Sequence, residues 1–305
     1  MAKIIDGREL AKEIRAEIKA DAEAFTAETG VVPGLVTVLV GEDPASQQYV
    51  RMKGKAADAV SFNSRQITLP ADTPHDELLG LVQGLNADPE VHGILVQLPL
   101  PDQIDEDVIL ETIDPAKDVD GFHPVNVGRL SIGDDDVLAP CTPAGVVEML
   151  VRYGYDPKGK HVVVVGRSNI VGKPLALLLL RKAPGGNATV TVAHSRTADL
   201  GAVTRTADIV VAAVGVPETV TRDMVKPGVV VIDVGANQIE DPSAERGYRW
   251  VGDVDFDGVS QVAEAITPVP GGVGPMTITM LLKNTLEAAR RQLAAGQVVE
   301  GAPTR

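Results

Sequence analysis

Tyr49 and Lys53 stand four residues apart in the stretch YVRMK. On a helix that spacing puts a phenol ring and an ammonium group on one face. Burial there would lower the lysine pKa toward the range in which an amine exchanges protons near neutral pH. The plainer alternative is a surface lysine above a half-buried tyrosine, because lysine is seldom buried. Gln97 is the one polar side chain in GILVQLPLP. It falls near the carboxyl end of an apolar strand, where open α/β sheets place ligand-binding groups. A buried amide needs partners, and Lys53 or a ligand would supply them; an edge position facing water is the alternative. Asp118 and Asp120 lie in PAKDVDGFHPVNVGRL, 115–130. One carboxylate can bond bidentately to an amino-pyrimidine edge, two can hold a metal, and either can merely order a loop. His123 is equally open. The glycine-rich VPGGVGPMT, 269–277, could admit a flat ligand close to the backbone or act as a hinge.

A second constellation is HVVVVGRSNIVGKPLALLLL, 161–180. An apolar strand ends at Gly166, and a helix is expected from about Pro174. Gly166 and Gly172 allow a tight turn and close backbone approach. The helix start offers N–H groups and a positive dipole end to a phosphate. Ser168 stands where the G-x-G-x-x-G pattern has its second glycine, and the loop is longer, so a plain strand–turn–helix stays open. At the end of the next strand an NAD enzyme usually carries Asp or Glu for the ribose hydroxyls. This chain has His194, Ser195, Arg196 and Thr197. A carboxylate would repel a 2′-phosphate, whereas Arg196 and Ser195 would bind it, with Arg167 in reach of the same place. NADP is therefore preferred over NAD. The alternative makes Arg196 a solvated loop charge.

These residues need rigid elements to position them. Steps of three and four among Leu10, Ile14, Ile18, Ala22 and Phe25 predict a helix over 7–25, capped by Asp6. Strands are expected at 34–40, 65–69 and 93–99, with helices at 45–59 and 73–86. This alternation argues for parallel βαβ units. The stretch 99–140 reads as loop-rich and as the best domain boundary. A helix restarts at CTPAGVVEML, with Thr142 as N-cap and Pro143 in the first turn. Strands follow at 161–165, 188–193, 207–214 and 228–234, and a last helix at 277–295. The tail GQVVEGAPTR is expected to fray.

Composition narrows the classes. A chain of 305 residues suits two domains. Its formal net charge of −14 argues against nucleic acid, and one tryptophan against a base-stacking platform. The lone cysteine, Cys141, precludes an intrachain disulfide and a multi-cysteine metal site. It is expected to be packed beside the helix start, or partly activated by the helix end. The best apolar run, 175–180, is far short of the ~20 residues a spanning helix needs. MAKIIDGREL lacks a signal-type apolar region. A cytoplasmic protein without membrane partners is the expectation.

VGEDPASQQYVRMKGKA, GILVQLPLP, PAKDVDGFHPVNVGRL, PCTPAG, GRSNIVGKP, HSRT, VIDVGAN and TPVPGGVGPMT occur in this order. Together they closely resemble the bifunctional methylenetetrahydrofolate dehydrogenase/cyclohydrolase family, from about Ile4 to Leu286. The resemblance implies an α/β fold of two domains: an N-terminal three-layer folate domain and a Rossmann-like NADP domain, with an active-site cleft between them. The expected boundaries are 1–140 plus 281–305 for the first and 141–280 for the second. It implies that Tyr49 and Lys53 supply the central catalytic groups. Gln97 would hold and tune the lysine, and Asp120 would anchor the pterin ring and count among the catalytic groups. Leu98, Pro99, Pro270, Gly271 and Gly272 would border the folate with Tyr49 and Gln97. Gly166, Arg167, Ser168, Ser195 and Arg196 would bind NADP. Ala236 stands where relatives have isoleucine on the nicotinamide side, and AVSF at 59–62 departs from their Val-Gly-Ile turn.

The reaction implied is NADP-dependent oxidation of 5,10-methylenetetrahydrofolate to the methenyl cation, then hydrolysis to 10-formyltetrahydrofolate. A homodimer through the cofactor domain is implied; no metal is expected, nor an appended synthetase, for which no chain remains. The implied setting is one-carbon supply for purine, methionine and histidine synthesis. Two alternatives carry different expectations: a monofunctional dehydrogenase, and a non-catalytic dinucleotide-binding protein in which some of these polar residues would be replaced.

Overall fold

In the computed structural model, which describes residues 1–244 and 247–300, the chain alternates strands and helices. In order these are β1 (Lys3–Ile4), α1 (Gly7–Thr29), β2 (Gly34–Val40), α2 (Pro44–Ala59), β3 (Asn63–Leu69), α3 (His75–Ala87) and β4 (Gly93–Val96). Then come α4 (Glu106–Thr112), α5 (Pro124–Ile132), α6 (Cys141–Arg152), β5 (His161–Val165), α7 (Gly172–Leu180), β6 (Thr189–Ala193), α8 (Leu200–Thr204) and β7 (Ile209–Ala212). The last are β8 (Val230–Asp233), β9 (Asn237–Glu240), β10 (Tyr248–Val251), α9 (Phe256–Val259), β11 (Ala265–Ile266) and α10 (Val273–Glu300).

The chain forms two compact units: Glu13–Cys141 with the residues from Ile278 onward, and Met1–Lys12 with Thr142–Thr277. The first twelve residues differ from the expected 1–140 grouping. The reason is backbone pairing: β1 lies parallel to β11, with Lys3 opposite Ala265. The unit boundaries thus fall inside α1, α6 and α10.

The unit containing Lys53 is built on a parallel sheet of order β3-β2-β4. Every residue of β2, GLVTVLV, is buried, as a strand covered on both faces must be. Val36, Val38 and Val40 pack with Ile94 and Val96 against Leu78 and Val82 of α3 and Ile109 of α4. Asp6 accepts N–H bonds from Arg8 (2.8 Å) and Glu9 (3.2 Å), the cap expected for α1. Asp43 caps α2 through Ser46 N at 2.7 Å, with Pro44 in the first turn. The 99–140 stretch is not simply loop: it holds α4 and α5. Both are too short for periodicity to reveal, and each is set by a local cap. Asp105 accepts from Val108 N (3.2 Å), and His123 Nδ1 accepts from Val125 N (3.1 Å).

Thr37 in β2 is 1% exposed, and its hydroxyl has no hydrogen-bond partner among the described residues. An unpaired buried hydroxyl costs more than a methyl in its place. Thr37→Val is therefore expected to raise unfolding stability by about 1 kcal/mol in urea denaturation, with unchanged activity; a loss of stability would contradict this.

The other unit carries a six-stranded parallel sheet of order β1-β11-β8-β7-β5-β6. Val163, Val165, Val210, Val231 and Ile266 form much of its core. The chain winds from β5 outward to β6, then back past it to β7, so the winding direction reverses at β5. Four strands and two short helices of this unit have no counterpart in the sequence expectations: the antiparallel β9–β10 pair, the short β1–β11 pair, α8 and α9. Three other expectations change in detail. α7 starts at Gly172 instead of Pro174. Thr142 lies inside α6, where its hydroxyl pairs with that of Thr277 at 2.9 Å. α10 takes in 273–276 of the glycine-rich segment and continues to Glu300, with the rest of the tail outside the described residues. No helix among the described residues is long and apolar enough to cross a membrane.

Candidate active site

Tyr49 and Lys53 share one face of α2, with Lys53 Nζ 5.0 Å from the Tyr49 ring centroid. Lys53 is only 5% exposed, which removes the surface-lysine alternative. Its Nζ donates to Gln97 Oε1 at 3.0 Å. Gln97 in turn donates Nε2–H to the Leu98 carbonyl at 2.7 Å. That second bond fixes the amide so that its oxygen faces the lysine. Gln97 lies just past β4, not inside it, yet its N–H still continues the ladder to Val38 O at 2.8 Å.

Burial draws the Lys53 pKa below the usual lysine value, and it outweighs the opposing pull of Asp120 and Cys141. The ring face of Tyr49 favours the cation by about 0.5–2 kcal/mol. One amide oxygen and one ring replace only part of an ammonium's hydration. The result is an amine held in place and able to lose its proton more readily than a free lysine.

The two aspartates separate by role. Asp118 is 4% exposed and accepts N–H bonds from Gly121 (3.0 Å), Phe122 (3.3 Å) and His123 (2.8 Å), and one from Asn126 Nδ2 (2.9 Å). Burial pushes its carboxyl up, against those bonds. Asp118 is thus the loop former. Asp120, two residues on, is half-buried and acts electrostatically on both Lys53 and Cys141. His123 is a helix cap whose other ring nitrogen meets Glu111 O at 3.1 Å.

Cys141 is buried and its thiol donates to Val119 O at 3.2 Å. Burial pushes its pKa well up, so the activated-thiol alternative fails. Asn284 of α10 was legible only as a polar residue among apolar helix positions. Its Nδ2 donates to Val119 O (2.8 Å) and Ala139 O (2.9 Å), fixing the backbone just before Asp120 and just before Cys141.

In the other unit a cavity of about 420 Å³ opens at the carboxyl ends of β5, β6 and β7. That is the reversal point at which doubly wound sheets bind ligands. Gly166, Arg167, Ser168, His194, Ser195 and Val214 contribute to its lining, and no carboxylate does. Gly166 has φ +129°, and a Cβ there would overlap the Ala213 carbonyl oxygen. The turn therefore needs glycine. The helix start is less open to a phosphate than expected, because Ser168 Oγ already accepts from Val171 N (3.1 Å) and Gly172 N (3.3 Å). Arg196 is exposed next to Ser195, with its N–H on His194 Nδ1 at 3.1 Å. Arginines without a competing carboxylate fit a dinucleotide carrying a 2′-phosphate.

Ala236 is exposed between β8 and β9 and does not line this cavity. Gly271 and Gly272 pack against the start of α1, where Gly7 N donates to Gly271 O at 3.0 Å. Pro270 precedes them in the same unit. Lys53, Tyr49, Gln97, Leu98, Pro99 and Asp120 all belong to the other one.

One unit with a dinucleotide-type cavity and one with a buried lysine–glutamine pair define an α/β enzyme of the nucleotide-dependent class. Residues 5–120 match the catalytic domain of tetrahydrofolate dehydrogenase/cyclohydrolase, and residues 140–293 its NAD(P)-binding domain. The chain belongs to the tetrahydrofolate dehydrogenase/cyclohydrolase family. It is 57% identical over 289 residues to the bifunctional protein FolD of Chlorobium phaeobacteroides, covering 94% of this chain and 98% of that one. The bifunctional FolD structure from Campylobacter jejuni superposes with a TM-score of 0.89 at 47% identity, over 96% of this chain and 100% of the other. The Trypanosoma brucei dehydrogenase-cyclohydrolase, solved with NADP cofactor and an inhibitor, gives 0.89 at 45% identity, over 96% and 98%.

Proposed function

We propose that this chain oxidises 5,10-methylenetetrahydrofolate with NADP+ and hydrolyses the methenyl product to 10-formyltetrahydrofolate. The observation that carries this reading is the buried Lys53 held by Gln97 in a family whose relatives are bifunctional. Folate chemistry is assigned to the unit of Glu13–Cys141, and NADP binding to the unit of Thr142–Thr277.

NADP+, when bound, accepts the hydride. Arg167, Ser168 and Ser195 hold it around the Gly166 turn, with Arg196 and Ser195 toward the 2′-phosphate and Ala236 contributing backbone only. Hydride transfer asks for positioning more than for proton movement. Asp120 anchors the amino edge of the pterin. Tyr49, Gln97, Leu98 and Pro99 border it, and the family resemblance is what adds Pro270, Gly271 and Gly272 to the residues assigned to folate.

Hydrolysis asks for proton movement. Water adds to the methenyl carbon and gives its proton to neutral Lys53 Nζ. The bond from that carbon to N5 then breaks as Lys53 returns the proton to N5, the adduct's C–O bond becomes the formyl carbonyl, and its hydroxyl proton leaves to solvent. The net change is one water consumed and one proton released. Because the neutral amine is the active form, the cyclohydrolase rate is expected to rise with pH through one ionisation. Its midpoint lies below the ordinary lysine value of 10.5, in the direction burial drives Lys53. The decay of methenyltetrahydrofolate, corrected for uncatalysed hydrolysis, measures this; a rate that falls with pH over that range would contradict a base role.

Family resemblance also supports a cytoplasmic homodimer formed through the cofactor unit, which sedimentation would test. The direct test of function supplies 5,10-methylenetetrahydrofolate with NADP+ or NAD+ in parallel. Faster reduction of NADP+ is expected. Reduction of NAD+ alone would overturn the cofactor assignment, and no reduction of either would favour the non-catalytic alternative.

A further inference from the structure

Two buried carboxylates in the cofactor unit take no part in the chemistry above. Asp233, at the end of β8, is 3% exposed, and Asp253, after β10, is fully buried. Asp233 accepts N–H bonds from Gly235 (2.9 Å), Val254 (3.0 Å) and Asp253 itself (2.9 Å). Its own N–H donates to Thr267 Oγ1 at 2.7 Å. Asp253 Oδ2 accepts from Val214 N (2.6 Å) and Gly215 N (2.9 Å), and its Oδ1 from Asn237 Nδ2 (2.9 Å). The chain closes so tightly here that a Cβ on Gly252 would overlap the Asp233 carboxylate. Burial pushes the Asp233 carboxyl up to about 6 despite its three donors.

One partner of Asp253 belongs to the cavity wall and another to a neighbouring turn. Val214 lines it. Asn237 ends the 235–237 turn to which the nicotinamide side was assigned. A carboxylate satisfies two adjacent N–H groups only when they point together, so Asp253 dictates the course of the chain after β7.

We propose that Asp253 is a positioning residue for the cofactor: its carboxylate sets the 214–215 wall of the cavity and ties it to the 235–237 turn, with Asp233 holding Asp253 in place. This rests on the reading of the cavity as the NADP site.

Asp253→Asn puts an amide where only acceptors fit. With its oxygen on Val214 N and Gly215 N the new amide turns an N–H toward Asn237, which must then turn its own amide over and give up the Val251 carbonyl; turned the other way, the new amide sets N–H against the N–H groups of Val214 and Gly215. The variant is expected to raise the Kd and KM for NADP+ about tenfold or more, with kcat within about threefold. Hydrolysis of preformed methenyltetrahydrofolate, assayed without cofactor, stays within about twofold. Asp208→Asn is the structural control. Asp208 accepts from His161 N (2.9 Å) and Lys226 Nζ (2.7 Å), but at the opposite, amino ends of the strands. It is expected to lower the melting temperature without changing the KM for NADP+.

A folded Asp253→Asn enzyme with unchanged KM for NADP+ would overturn the proposal. So would an equal rise in KM for Asp208→Asn. If Asp253→Asn does not fold, Asn237→Ala decides, since it removes one partner of the same carboxylate: a rise of about threefold supports the proposal, and no change overturns it. Wild-type protein that binds no NADP+ would instead overturn the reading of the cavity itself.

Discussion

Lys53→Met is expected to lower cyclohydrolase activity about 10³-fold while the protein stays folded. Methionine fills nearly the same volume without an amine. Gln97 Oε1 then loses its 3.0 Å donor, a cost of about 1–3 kcal/mol. Removing a buried ammonium offsets part of that, because burial already disfavours the cation. The melting temperature should therefore move by about 4 °C or less. Dehydrogenase activity should fall less, about tenfold, because hydride transfer draws on position. Lys53→Arg should not rescue hydrolysis, since guanidinium keeps its proton and is planar. Methenyltetrahydrofolate decay measures the effect. Full hydrolysis by folded Lys53→Met protein would remove Lys53 from the mechanism.

Gly166→Ala is expected to weaken NADP+ binding about 100-fold or more. The residue sits at φ +129°, a conformation open to glycine alone, and the new methyl would overlap backbone at Ala213. Neither β5 nor β7 can retreat, because Val165 and Ala212 on these strands are fully buried and paired. The turn must move instead, and with it Arg167 and Ser168. Cofactor-free hydrolysis should persist, since Lys53 and Gln97 belong to the other unit. Calorimetric titration of NADP+ against the variant checks this; wild-type affinity would show that the turn does not shape the cofactor site.

Much of the fold was legible because buried parallel strands announce themselves. GLVTVLV and HVVVV are β-branched runs with no polar face, and both became central strands. Short elements were not legible. β1 and β11 have two residues each, and their pairing joins positions far apart in the chain. The α4 and α5 helices depend on single caps inside a stretch rich in proline and glycine.

The site divides in the same way. Spacing alone put Tyr49 and Lys53 on one face, but lysine burial depends on what covers the helix, which no local pattern encodes. The KDVDG segment offered two equivalent carboxylates. The family resemblance picks Asp120, and the backbone separates the two physically, because Asp118 turns back onto three N–H groups and leaves Asp120 to face the lysine's field. Ser168 was read as a replaced glycine, and its role as a cap emerges from the turn geometry. Asn284 was invisible as a site residue because its partners are backbone carbonyls more than a hundred positions away.

The central claim is that one protein carries both the oxidation and the hydrolysis. It is tested most directly by giving the wild-type protein 5,10-methylenetetrahydrofolate and NADP+, and following NADPH and 10-formyltetrahydrofolate together. The account predicts that 10-formyltetrahydrofolate appears with NADPH, faster than free methenyltetrahydrofolate hydrolyses. NADPH formation with methenyltetrahydrofolate accumulating and decaying at its uncatalysed rate would contradict it.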